Sequence, residues 1–179
     1  MFLPLIILLL LLGSGDGNTP VRTKIEASLH QAFGDSIAIS LIQIGISPDI
    51  RQDVLVISGQ RFDRDSLAIY VCTANGKEIG YAIVDDVKGK SRMITYMILL
   101  NLDESVRDVE ILVYRESIGG EIANGSFRRQ FSQKKYSDDL TLGSSIRNIS
   151  GATISARAIT NGVRKLLALF HLLRGRLPR

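Results

Sequence analysis

The chain has 179 residues, a net charge of +4, and hydrophobic and charged shares of 45% and 22%, the balance of one soluble globular domain with a sizeable core. Tryptophan is absent and no basic stripe interleaves with aromatics, which argues against nucleic-acid binding. Cys72 is the only cysteine, so disulfides and multi-cysteine metal sites within one chain are excluded.

Met1 to Leu12 is almost wholly apolar, then gives way to Gly13-Ser14-Gly15-Asp16-Gly17-Asn18. This run is shorter than the roughly 20 residues that span a bilayer and suits the apolar core of a secretory signal. No Lys or Arg precedes it, and no cysteine follows to carry a lipid. Residues 1–18 therefore read as a signal peptide or an N-terminal membrane anchor. Either places the domain, residues 19–179, outside the cytoplasm.

Thr23 to Phe33 carries Ile25, Leu29, Ala32 and Phe33 at helical spacing, and Gly34 stops it. Ser36 to Ile46 is rich in Ile and reads as a short strand of unassigned role, and Val54 to Ser58 as another candidate strand. Ser66 to Thr73 and Glu78 to Asp86 flank Ala74-Asn75-Gly76-Lys77, and Asn-Gly between apolar runs signals a hairpin. Met93 to Asn101 and Val106 to Arg115 flank Leu102-Asp103-Glu104-Ser105, a second hairpin. Cys72 falls in an apolar stretch and reads as a buried strand residue. Four such strands argue for an antiparallel sheet with one apolar face to cover. The cover is the C-terminal helix, where Ile159, Val163, Leu166, Leu167, Phe170 and Leu173 share one face. The fold class is α+β: a single domain, with an antiparallel sheet of hairpins packed against a C-terminal helix. The basic residues Arg164, Lys165, Arg174, Arg176 and Arg179 read as a solvated end before they read as a binding patch.

Two stretches hold candidate chemistry. Ser150-Gly151-Ala152-Thr153 stands at the mouth of the C-terminal helix. A helix N-terminus offers unpaired N–H groups and the positive end of its dipole to a phosphate, while Gly151 and Ala152 let the backbone come close. The plainer alternative, favoured by local physics alone, is that Ser150 or Thr153 caps the helix. Glu116-Ser117-Ile118-Gly119-Gly120-Glu121 follows the fourth strand and reads either as a surface turn or as a loop that admits a flat ring to backbone groups. Gly89, Lys90 and Tyr96 are further candidates, with Lys90 first a solvated turn lysine and second a phosphate partner. Glu116 and Glu121 could act as paired carboxylates, yet nothing completes a hydrolytic site. Asp85, Asp86 and Glu121 match no metal spacing. His30 and His171 each stand alone and read as packing or surface residues. There is no catalytic triad, P-loop or dinucleotide fingerprint.

The Ser150–Thr153 stretch, with Ile154-Ser155-Ala156-Arg157-Ala158 and a helix behind it, resembles the C-terminal signature of FMN-binding domains. That family includes the flavin-carrying subunits of sodium- and proton-translocating electron-transport complexes. Gly80-Tyr81-Ala82-Ile83-Val84-Asp85-Asp86-Val87-Lys88-Gly89-Lys90 and Tyr114 to Glu121 are similar to blocks of its small single-domain members, so the likeness runs from Tyr70 to Leu167. One position departs: the family places Asp three residues before the signature's Ser, where this chain has Arg147.

The resemblance implies FMN joined by a phosphoester bond to Thr153, installed by a flavin transferase that uses FAD. It implies Ser150, Gly151 and Ala152 around that bond, and Glu116, Gly119, Gly120 and Glu121 as flavin neighbours, with Lys90 available to phosphate or reduced flavin. The expected protein is an extracytoplasmic electron carrier serving a membrane redox complex, without catalytic side chains or a metal of its own. Two alternatives stay open: a cofactor-free interaction module of the same fold, and an FMN-dependent oxidoreductase acting on a small substrate.

Overall fold

Five strands follow one another into one antiparallel sheet: β1 (Ala38–Gly45), β2 (Ser66–Ala74), β3 (Lys77–Lys88), β4 (Met93–Leu100) and β5 (Val106–Val113), ordered β1-β2-β3-β4-β5. The structure is a computed structural model that describes residues 20–177, so the leader reading of residues 1–18 lies outside the described residues. Among the described residues four α-helices complete it: α1 (Pro20–Phe33), α2 (Pro48–Ser58), the single turn α3 (Gly125–Arg128) and α4 (Thr153–Leu173). No helix among the described residues is long and apolar enough to cross a membrane.

Both expected hairpins form. Asn75 and Gly76 take φ of 52° and 73°, the paired left-handed conformations of a tight turn between β2 and β3. Asp103 closes the β4–β5 turn by accepting from the Ser105 N–H at 3.2 Å and its hydroxyl at 2.6 Å. The Ile-rich stretch becomes β1, an edge strand running from Ala38 opposite Thr73 to Gly45 opposite Ser66.

The sheet is covered on both faces, so its strands sort residues by parity. Tyr81 and Ile83 of β3 and Ile94, Tyr96, Ile98 and Leu100 of β4 face a large core shared with α4 and α2. Ala82, Met97, Leu99 and the buried Cys72 face a smaller core under α1, with Ile25 and Leu29. This explains why β4 reads Met-Ile-Thr-Tyr-Met-Ile-Leu-Leu with no polar alternation: it is central and buried on both sides. The six residues expected to share the inner face of α4 are all buried.

One element differs from the sequence reading. The Val54–Ser58 stretch is the end of helix α2, not a strand. Ser47 accepts the Ile50 N–H at its start, Pro48 sits in the first turn, and Gly59 closes it at φ 66°. Only Ile50, Val54 and Ser58, four residues apart, are buried, while Val56 is exposed. Caps and tertiary burial override the β-branched character of Val54, Val56 and Ile57.

Candidate functional site

Helix α4 starts in an unusual way. Ala152 occupies its N-cap position with φ −123° and ψ 19°, and no side chain caps it. The Ala156 N–H reaches Ala152 O at 2.8 Å, so the preceding N–H groups of Thr153, Ile154 and Ser155 stand at the positive end of a 21-residue helix. Neither Ser150 nor Thr153 caps the helix. Gly151, at φ 80°, turns the chain into it. Thr153 is exposed, and its Oγ1 accepts a hydrogen bond from Asn148 Nδ2 at 2.9 Å. Asn148 is itself held, its Oδ1 accepting the Ile149 N–H at 2.8 Å.

A cleft of about 340 Å³ opens over this helix end. Gly151 to Ser155 form one side, Glu116, Ser117 and Ile118 from the loop after β5 form another, and Lys90 and Ser91 come from the β3–β4 turn. Ile118 and Ile154 are 72% and 52% exposed at its rim, two apolar side chains without cover. Such a cleft, part apolar with a few convergent polar groups, is of ligand-binding size.

The loop after β5 is tied to the helix from behind. Tyr114 donates its hydroxyl to Ile118 O at 2.6 Å, and the Tyr114 hydroxyl oxygen also lies 3.3 Å from Ser155 Oγ. Gly119 sits against this tie at φ 89°, where a Cβ would stand 2.8 Å from Tyr114 Oη and 3.0 Å from Ala152 Cβ. Only glycine allows both that backbone turn and that approach. Glu116 turns toward the β3–β4 turn, its Oε1 accepting the Ser91 N–H at 2.7 Å and the Arg92 N–H at 3.0 Å. The Arg92 bond first, then the Ser91 bond, hold its carboxyl below the usual glutamate range.

The fold thus brings together Lys90, Glu116, Gly151, Ala152 and Thr153 of the expected site residues. Ser150 precedes the cleft, Gly119 backs Ala152, and Gly120 and Glu121 begin a short 3₁₀ turn, Gly120–Ala123, outside the lining. Asn148 and Ser91 were not singled out by the sequence, because each reaches the site through a turn, and Tyr114, Ile118 and Ile154, which lie in the quoted stretches, were given no role of their own. Arg147 lies four residues before Gly151, where the cleft's lining begins, with its backbone N–H bonded to Gln130 Oε1 at 2.7 Å and its side chain exposed in a neighbouring groove beside Arg129.

Other candidates are placed elsewhere. Asp85 is buried under α4, paired with Arg64 and with Lys165 at 2.8 Å, and 3.4 Å from the hydroxyl of the buried Tyr96. Burial first, then the Asp85 charge, push the Tyr96 hydroxyl well above its ordinary pKa. His171 pairs with Glu104 at 2.7 Å at the far end of α4. A second cleft of about 370 Å³ lies beside α1, where Arg107, Arg128 and Arg129 face Asp108 and Glu110. Its central cation is occupied: Arg128 pairs with Glu110 and donates to Val109 O at 3.1 Å.

Residues 89–168 match the FMN-binding domain family, a span that contains the β3–β4 turn, the loop after β5 and the start of α4. Over 104 residues the chain is 33% identical to a subunit of the proton-translocating ferredoxin:NAD(+) oxidoreductase complex of Clostridium ljungdahlii, covering 54% of this chain and 56% of that one. It is 23% identical over 123 residues to the corresponding subunit of the Na(+)-translocating ferredoxin:NAD(+) oxidoreductase complex of Acetobacterium woodii, covering 63% and 59%. The chain therefore spans little more than half the length of these relatives. NqrC of Shewanella oneidensis shares the fold, with a TM-score of 0.61 over 86% of this chain and 98% of that one, at 14% identity.

Proposed function

We propose, on the premise that this chain carries an FMN-binding domain with FMN as its cofactor, that it is an extracytoplasmic electron carrier with FMN phosphoester-linked to Thr153. The observation that carries this reading is the start of α4. A long helix opens onto a cleft without a side-chain cap, and an exposed threonine hydroxyl stands at its first turn. The residues fit a phosphate-bearing flavin. Backbone N–H groups and Lys90 suit the phosphate, Gly151 and Ala152 leave room for it, and Ile118 and Ile154 suit an apolar ring.

Bound FMN supplies one- and two-electron redox chemistry. The protein's part is to bind, orient and shield. Asn148 donates to Thr153 Oγ1 and so fixes the oxygen while leaving its own proton free to depart. With a flavin transferase and FAD, Thr153 Oγ1 forms the bond to the flavin-side phosphorus, AMP leaves and the hydroxyl proton is released. The Tyr114 tie holds the ring-side loop to the helix that holds the phosphate. A covalent tether suits an extracytoplasmic site, where dissociated FMN would be lost. A membrane redox complex is the partner this reading favours, in line with the complexes that the similar subunits belong to.

The test is intact mass of the protein co-produced with a flavin transferase, beside Thr153→Ala. The expected result is a gain of one FMN less one water in the wild type and none in the variant. A wild type with neither a mass gain nor yellow colour would overturn the reading, and colour without a mass gain would overturn the tether alone.

A further inference from the structure

Glu116 lines the cleft, yet its carboxylate is turned to the chain's own backbone. Oε1 gathers two successive N–H groups, those of Ser91 and Arg92, across a separation of 25 and 24 residues. These donors belong to the four-residue turn Gly89-Lys90-Ser91-Arg92, which is otherwise closed by one backbone bond, Gly89 N–H to Arg92 O at 2.9 Å. Gly89 has no side chain to obstruct this: a Cβ there would stand 2.5 Å from Glu116 Oε1 and 3.0 Å from Ile94 Cδ1. A short turn with one internal bond would hold a lysine loosely. Two charge-assisted bonds from a carboxylate on the next strand pair's loop fix it, because such bonds are stronger than neutral ones.

We propose that Glu116 is a positioning residue: by gathering the Ser91 and Arg92 N–H groups it locks the β3–β4 turn so that Lys90 is held at the cleft for the phosphate of FMN. The proposal rests on the flavin reading above. In oxidised FMN the phosphate carries the charge and the ring system is neutral, so the ammonium of Lys90 has one anionic target. Glu116 acts through Lys90 and does not need to touch the cofactor. A direct role for its carboxylate beside the ring is a weaker account, since the oxygen that meets the turn is already committed to two donors.

The charge and the hydrogen bonds of Glu116 separate experimentally. Glu116→Gln keeps a carbonyl oxygen that can accept both N–H groups, whereas Glu116→Ala removes the acceptor. The experiment uses the full chain made without a transferase and titrates it with FMN, following flavin fluorescence. The four variants are Glu116→Gln and Glu116→Ala, each with Lys90 and with Lys90→Gln. With Lys90 present, Glu116→Ala is expected to bind FMN about tenfold more weakly than Glu116→Gln, the scale of losing the one charge-assisted hydrogen bond from Lys90 to the phosphate. With Lys90→Gln, the two are expected to agree within about twofold, because a turn that presents no cation has nothing to position. Riboflavin, which lacks the phosphate, is expected to bind both Glu116 variants alike. Amide exchange in the flavin-free protein is the second readout: Ser91 and Arg92 lose protection in Glu116→Ala and keep it in Glu116→Gln.

Equal FMN affinity of Glu116→Ala and Glu116→Gln overturns the proposal, as does a difference that persists without Lys90 or appears with riboflavin. A wild type that binds no FMN overturns this proposal, and the flavin reading falls with it only where the co-produced protein also shows neither mass gain nor colour. The two failures are distinguishable, because the first leaves wild-type binding intact.

Discussion

At its C-terminal end, α4 is closed by the protein's own side chains. His171 Nδ1 meets Glu104 Oε2 at 2.7 Å, and its ring stacks on Tyr136 at 3.7 Å between centroids. Phe170 lies 5.0 Å from the Tyr81 ring, and Arg174 covers the same ring at 4.8 Å. At its N-terminal end the same helix has no side-chain cap, small residues in place of large ones, and two exposed isoleucines beside an open cleft. The difference teaches where stability and binding reside. One end is completed by packing, and the other is the end that the proposed reading gives to the cofactor's phosphate.

The largest expected contrast comes from the packed end. Phe170→Ala removes a fully buried ring and is expected to cost about 3–5 kcal/mol of unfolding free energy in urea. Its folded fraction should still gain the flavin mass, because the open end is nearly five turns away along α4. Loss of the mass gain in protein that is still folded would break the separation of the two ends. A smaller effect, opposite in sign, is expected at the open end. Thr153→Asp places a carboxylate at the positive end of the helix and should raise unfolding free energy by about 0.3–1 kcal/mol. It should also abolish the tether and repel phosphate. If stability does not rise, that helix end is already satisfied within the protein, and the contrast fails.

The smallest effect is local and concerns pH. Asp103 is held down to about pKa 2 by the Ser105 hydroxyl first, then by Lys135 and the Ser105 N–H. A depressed carboxyl contributes order that is complete above the ordinary aspartate range and is lost as pH falls through the folded value. The β4–β5 turn, which also presents Glu104 to His171, should therefore keep its amide protection at pH 4 and lose it near pH 2. Asp103→Asn should show weaker protection already at pH 5. If the wild-type turn loosened at pH 4, the ordering assigned to Asp103 would be wrong.

How much of this was legible before the structure depended on how local each cause was. The Asn75-Gly76 turn, the inner face of α4 and the small residues before Thr153 are properties of neighbouring residues, and each is readable from spacing. The family resemblance carried by Ser150–Thr153 and Tyr114–Glu121 is of the same kind. The capping alternative at that site was equally legible and was not what the fold chose, because Gly151 turns Ser150 away from the helix and Ala152 takes the cap position.

The sequence by itself determined the hairpins, the C-terminal helix and the small-residue approach to Thr153, since turn chemistry and helical period act within a few residues. Tertiary structure alone decided that β1 joins the sheet as its edge and that α1 covers the second face, and burial of Ile50, Val54 and Ser58 joined the local caps in making Val54–Ser58 the end of a helix. It also decided that the Glu116 carboxylate meets the turn that carries Lys90. These are contacts between segments whose separation in sequence carries no period, so their energies exist only once the sheet has set the segments side by side.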